Sequence, residues 1–309
     1  MKKTLTIIGP TAVGKTDLTV KIAENINGEI IGLDSRQIYK YMNIGTAQPT
    51  YDDMRSINHH LIGCKQPWEP ISAGKYAKMI IKKINDIKER GKVPIICGGA
   101  GLYYRAITKG IFSESYTDAG LRKELENKYK EDSMSLMLRL QSIDPEYAKI
   151  VHINNKKRLI RALEIFELTG FPPTKHFKNQ KMNQSRLLEL YTVYLSLDKS
   201  VHINKINERT NHMFKMGWID EVDYLLSLQK EKKLKMPALD SIGYKQVIEY
   251  INDKMDKETL IETVVNKTKQ YARSQDKWFK KEKIDLFVDL TNLEGIDVHK
   301  YICDIYSVI

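Results

Sequence analysis

Cysteine is scarce in this chain: its 309 residues contain three, Cys64, Cys97 and Cys303. They lie far apart and show neither C-x-x-C nor Cys/His zinc spacing, which excludes a disulfide framework or a structural zinc as the organising device. Long apolar runs are also missing. None approaches the roughly 20 residues needed to cross a bilayer, and the apolar part of the opening MKKTLTIIGP ends too soon for a signal peptide. The expectation is a soluble cytoplasmic protein without a membrane partner, its thiols reduced and mostly packed. Acids are under-represented, 39 against 50 Lys and Arg, for a formal charge of +11. Between Lys149 and Arg186 nine basic residues face two acids, Glu164 and Glu167. Clustered Lys and Arg neutralise phosphates and release counterions, so this concentration points to a polyanion larger than a nucleotide. A merely Lys-rich surface is the alternative reading.

With 42% apolar residues the chain can bury a full core, as one large domain or two small ones. Thr4–Ile8 reads as a buried strand, GPTAVGKT at 9–16 as a phosphate loop, and Asp17–Asn27 as a helix. A second strand, EIIGLD at 29–34, ends in an acid; a Lys-rich amphipathic helix over 72–90 stops at Gly91; KVPIICGGAG is a third strand entering a glycine turn. Strands alternating with helices predict an α/β fold, a parallel P-loop sheet with crossover helices and ligands beyond the carboxyl ends of its strands. From Asp118 to Gly170 the pattern is helical, with breaks near Asp132–Ser133 and at Asp144-Pro145, and no strand returns before LELYTVYLSL at 188–197. The expected organisation is a core of 1–114 and 187–309 interrupted by a basic helical insertion, 115–186. Further helices are expected around 200–215, 218–229 and 257–281, a solvated Lys-rich loop over 230–236, a last strand at 284–290 and a helical tail.

The loop 9–16 matches G-x-x-x-x-G-K-[ST] between a strand and a helix, where the motif requires it. Its amides converge on phosphate oxygens, Lys15 adds a charge, and Thr16 offers a hydroxyl to Mg²⁺. This establishes phosphate binding and leaves open whether an NTP is hydrolysed or a diphosphate departs. Hydrolysis calls for a Walker-B acid on a further strand, yet the third strand ends in CGGAG and the acid, Asp34, closes the second. That carboxylate suits either a magnesium shell or a general base beside the phosphates.

The motifs GPTAVGKT, DSRQIY (34–39), NIGTAQP (43–49), HHLI (59–62), SAGKY (72–76), GGAGLY (98–103), DPEYAKIVHINNKKRLIRALE (144–164), INERTNHMFKMG (206–217), SIGYKQ (241–246) and TKQYARSQDKWF (268–279) together closely resemble the tRNA dimethylallyltransferases, in order and over nearly the whole chain. The resemblance implies transfer of a dimethylallyl group from its diphosphate to the exocyclic N6 of the adenine 3′ of the anticodon, in tRNAs reading codons that begin with U. It implies a monomer of bacterial type, with tRNA and dimethylallyl diphosphate as partners and Mg²⁺ as cofactor.

Carried over by position, Gly9, Pro10, Thr11, Ala12, Val13, Gly14, Lys15 and Thr16 would cradle the diphosphate, with Mg²⁺ at Thr16. Asp34 would accept or orient the N6 proton, and Arg209 would bind the leaving diphosphate. Contacts to tRNA would come from Asp34, Ser35, Arg36 and Gln37, from Ala100 and Arg122, from Lys157, Arg158, Leu159, Ile160 and Arg161, and from Gly243, Tyr244, Lys245 and Arg273. His59 lies in a motif of the same site, and Tyr103, Tyr104 and Trp278 are candidates for stacking on bases. The chain departs from the family pattern at Ala100 (usually Thr), Asn155 (Asp), Ser274 (Arg) and Lys205 (often Arg). A free-nucleotide isopentenyltransferase is the nearest rival, though it would not need a basic helical insertion. A P-loop small-molecule kinase lacks its Walker-B acid here. A non-catalytic RNA-binding module would need neither the GKT nor the carboxylate.

Overall fold

The computed structural model describes residues 3–110, 117–182, 188–291 and 297–309. In chain order its elements are β1 (Thr4–Ile8), α1 (Lys15–Asn25), β2 (Gly28–Leu33), α2 (Tyr51–Ser56), β3 (His59–His60), α3 (Ala73–Glu89), β4 (Val93–Gly98) and α4 (Gly101–Thr108). Next come α5 (Ala119–Glu131), α6 (Ser133–Ile143), α7 (Pro145–Ala148), α8 (Lys156–Thr169) and α9 (Pro173–Met182). The chain then continues through β5 (Leu190–Ser196), α10 (Lys199–Lys215), α11 (Trp218–Lys232), α12 (Tyr244–Ile251), α13 (Lys257–Phe279), β6 (Leu286–Asp289) and α14 (Val298–Ser307). Two compact units result, Met1–Thr108 with Leu188–Ile309, and Lys109–Leu187. The predicted boundaries at 114–115 and 186–187, and the basic residue Arg186, lie outside the described residues.

The first unit is built on a six-stranded sheet of order β3-β2-β4-β1-β5-β6, parallel throughout. Parallel strands covered on both faces read as continuous apolar runs, and all of β1 and β2 is buried. Leu5 and Ile7 of β1 pack with Ile22 and Ala23 of α1 and with Ile302 and Tyr306 of α14. On the other face Tyr104 of α4 reaches Thr192 of β5 at 3.0 Å, and Tyr194 of β5 packs against Phe279 of α13. Four elements were not foreseen: α2, β3, α4 and α12. β3 is only two residues long, α4 begins at the last glycine of GGAG, and α12 begins directly after the glycine of SIG. The predicted loop 230–236 is helical through Lys232 as the last turn of α11.

The second unit is all-helical among its described residues, around Leu125, Leu136, Leu140, Leu159 and Leu163. Its helix breaks are capped starts. Asp118, Asp132, Asp144 and Asn155 each accept a backbone N–H from the first turn that follows, satisfying donors that a helix start otherwise leaves unpaired. Asn155 therefore caps α8 despite its departure from the family's Asp. Glu164 is wholly buried within this unit and takes hydrogen bonds from both Arg122 (2.7 Å) and Arg161 (2.7 Å).

Candidate active site

The chain leaves β1 into a loop whose Gly14 has φ 98°, a left-handed conformation available to glycine at little cost, and α1 begins at the next residue. Lys15 bends back over this loop, donating to the carbonyls of Pro10 (2.7 Å) and Gly9 (3.1 Å). Burial pushes its ammonium down to about 8; Arg209 acts in the same direction, and Cys97 and Asp34 oppose it. Arg209, on α10, donates to the Thr11 hydroxyl at 2.7 Å. Burial also lowers its pKa, to about 10, against the pull of Asp34. Its Nε is buried without a partner among the described residues, the situation of a cation placed for an anionic ligand.

Asp34 stands just past the carboxyl end of β2. Its Oδ1 accepts the N–H groups of Arg36 (2.7 Å) and Gln37 (3.3 Å), closing a tight turn. Asp34, Ser35, Thr11 and Arg209 line one cavity of about 270 Å³, whose remaining wall includes Met213, Trp218, Val264 and Tyr271. A carboxylate, a guanidinium and part of the phosphate loop thus share one space with a few apolar side chains in a mixed lining.

The structure reassigns several residues expected to touch RNA. Leu159 and Ile160 are core residues of the second unit, because they fall on the inward face of α8. Arg122 and Arg161 are engaged by Glu164, whereas Lys157 and Arg158 stand exposed in the first turn of α8. Arg36 ties down the 237–240 segment, donating to the carbonyl of Asp240 at 3.1 Å and more weakly to those of Pro237 and Ala238. Gln37 gives its amide to the carbonyls of Thr46 (3.1 Å) and Ala47 (2.7 Å). Ala100 is buried, its carbonyl taking the first N–H bonds of α4. Gly243 and Tyr244 are buried too, and the Tyr244 hydroxyl donates to Glu221 at 2.7 Å. Lys245 is paired with Asp240, and Arg273 is exposed on α13.

Three glycines outside the phosphate loop are seats for aromatic rings. A Cβ on Gly101 would lie 2.6 Å from the Trp278 ring, and Arg105 covers that ring at 4.6 Å. Tyr103 stacks on Tyr76 with centroids 4.3 Å apart, and the Tyr104 hydroxyl reaches Thr192, so these rings are packing. Trp218, which sequence reasoning passed over, is wedged between Gly45 and Gly243, where added Cβ atoms would come within 1.9 and 2.1 Å of the indole. Glu221 holds the neighbouring loop by accepting the N–H groups of Ile44 (2.7 Å) and Gly45 (3.0 Å). Nothing local marks these residues, since each acts on segments far along the chain. His59 pairs in register with Ile30, and His60 donates to Glu29 at 2.7 Å, near the opposite end of β2 from Asp34. Both histidines therefore belong to the sheet edge.

The family model described as IPP transferase matches residues 37–282. A tRNA dimethylallyltransferase of Thermotoga neapolitana is 39% identical over 94% of this chain and 94% of its own length. The chain belongs to the tRNA dimethylallyltransferase family. Another member, from a Thermoanaerobacter species, is 40% identical over 89% of the chain and 87% of its own. Among solved structures, the tRNA isopentenylpyrophosphate transferase of Bacillus halodurans has a TM-score of 0.69 at 31% identity and covers 100% of this chain and 99% of its own. A eukaryotic dimethylallyltransferase acting on tRNA has a TM-score of 0.81 at 28% identity, covering 99% of this chain and 78% of its own. Family and fold are thereby shown, and among the described residues no helix is long and apolar enough to cross a membrane.

Proposed function

We propose that this protein transfers the dimethylallyl group of dimethylallyl diphosphate to N6 of the adenine 3′ of the anticodon in tRNAs reading codons that begin with U. The observation that carries this reading is the shared cavity, in which Asp34 and Arg209 face one space beside Thr11 of the phosphate loop. An adenine N6 is a weak nucleophile because its lone pair is delocalised into the ring. A carboxylate accepting its hydrogen raises electron density on nitrogen as the C–N bond forms. The allylic C–O bond breaks and its electron pair leaves with the diphosphate, whose charge Lys15, Arg209 and the loop amides offset. The N6 proton passes to Asp34 and then to solvent. The apolar side chains of Met213, Trp218, Val264 and Tyr271 in the lining suit a five-carbon group.

The site fits Mg²⁺. The ion takes few protein ligands when phosphates and water complete its shell, and Thr16 at the start of α1 supplies one hard oxygen. Bound there, it would offset charge on the departing diphosphate.

For tRNA, the second unit offers Lys157 and Arg158, exposed on one turn of α8, and the first unit offers Arg273. The target base must leave its stack to enter a cavity of this size. Incubating the protein with labelled dimethylallyl diphosphate and Mg²⁺ plus either an anticodon stem-loop or free AMP tests the reading. Label is expected in the stem-loop; label in AMP alone would transfer the protein to the free-nucleotide class.

A further inference from the structure

Thr11 is held at three of its atoms by three side chains that follow it by about two hundred residues or more. Its N–H donates to Oε1 of Gln275 (2.9 Å), its carbonyl accepts from Nε2 of His202 (2.8 Å), and its hydroxyl accepts from Arg209 (2.7 Å). Gln275 also donates through Nε2 to the carbonyl of Gly99 at 2.8 Å, bridging the phosphate loop and the turn after β4. Its two partners are a backbone donor and a backbone acceptor, so its orientation is dictated and a side chain carrying both functions is required. Glutamate lacks the donor, and an aliphatic chain lacks both.

The bonds fix more than a position. In a trans peptide the carbonyl and the next N–H point in opposite directions. His202, by gripping the Thr11 carbonyl, therefore turns the Ala12 N–H the other way. Ala12 has φ 65°, an unfavourable conformation for a residue with a Cβ, and needs such restraint. The Thr11 N–H is also committed to Gln275, which removes it from the set of amides available to phosphate and leaves that task to the later loop residues. Lys15 must exchange the carbonyls of Gly9 and Pro10 for phosphate oxygens when an anion arrives, and the restraint on Thr11 keeps the loop in shape while it does so.

We propose that Gln275 and His202 are positioning residues that preset the phosphate loop through Thr11, and that diphosphate affinity depends on them while tRNA affinity does not. The proposal rests on the diphosphate reading of the site. Its test therefore measures binding directly, by calorimetric titration of inorganic diphosphate with Mg²⁺ into wild type, Gln275→Leu, Gln275→Glu, His202→Ala and His202→Gln. Gln275→Leu and His202→Ala should each weaken diphosphate binding roughly three- to tenfold, the scale of a single hydrogen bond. Gln275→Glu, of equal size, should weaken it further, by a margin that shrinks with salt because its carboxylate repels the anion. His202→Gln keeps a donor and should restore affinity to within about twofold. In turnover, KM for dimethylallyl diphosphate should rise in step, with kcat at saturation and KM for the stem-loop unchanged. Wild-type diphosphate affinity in folded Gln275→Leu and Gln275→Glu would overturn the proposal. If wild type binds diphosphate but prenylates no RNA, the functional reading fails and this inference is still decided by the titrations.

Discussion

Asp34 holds the backbone N–H of Arg36 on its Oδ1 at 2.7 Å and so fixes its own orientation, leaving Oδ2 to accept from a further donor. Asparagine at this position can keep the turn through its carbonyl oxygen but cannot take a proton. Asp34→Asn should lower single-turnover transfer by about 10²- to 10⁴-fold, with stem-loop and diphosphate affinities held within about threefold. A loss of binding in proportion to the loss of rate would remove Asp34 from the role of base.

The depressed pKa of Lys15 gives diphosphate binding a definite pH dependence. The group is lowered from 10.5 to about 8 in the free protein, mainly by burial. Below pH 8 it is charged and ready for the anion, and above pH 8 binding must draw a proton from solvent. Affinity should be flat to about pH 8 and then fall up to about tenfold per pH unit, since ionisation of the phosphate ester itself is complete at lower pH. Titrations in buffers of differing ionisation heat should show proton uptake above pH 8. Lys15→Ala should abolish the pH step and weaken binding throughout.

Lys157 and Arg158 separate from Arg161 in what their removal should do. The first two are exposed, so Lys157→Ala with Arg158→Ala should weaken stem-loop binding and flatten its salt dependence by about one unit of log–log slope for each phosphate no longer neutralised. Diphosphate affinity should hold. Equal slopes for the double variant and wild type would make this end of α8 a solvated surface only.

Arg161, by contrast, serves Glu164, whose side chain is wholly buried. Burial raises the carboxyl, but the hydrogen bonds from Arg122 and Arg161 outweigh that and hold it below the usual carboxylate value. A depressed carboxylate stabilises the fold above its unfolded pKa, and this contribution is lost as pH falls through the folded value. Melting of the second unit should therefore move to lower temperature below about pH 4.5, the ordinary Glu value. Glu164→Ala should cost about 2 kcal/mol at neutral pH, reduced from the fully buried case because both arginines can turn to water, and should blunt the acid transition.

The sequence made legible what is written in neighbouring residues. GPTAVGKT between an apolar run and a helix, the acid at the end of EIIGLD, and the aspartates before α6 and α7 are local signals, and each lies where the chain's periodicity puts it. The partners of charged groups were not legible. Arg122, Arg161 and Arg36 look alike in sequence to Lys157 and Arg158, yet the first two close on a buried glutamate and the third on carbonyls two hundred residues away. A glycine also cannot say whether it admits a phosphate or a ring. Gly101 takes Trp278, and Gly45 and Gly243 take Trp218. Short elements such as β3 carry too few residues to show a period.

The inserted unit leaves the core after Thr108, and the chain returns where the N–H of Leu188 donates to the carbonyl of Ile107 at 3.2 Å, so departure and return adjoin. This has a consequence during synthesis. β1 is among the first segments to leave the ribosome, yet its second neighbour, β5, lies beyond the whole insertion. The insertion has its own core. Thr11 cannot acquire its three holders until residue 275 has emerged. A nascent chain therefore carries the phosphate-loop motif for most of its synthesis without the side chains that fix its Thr11.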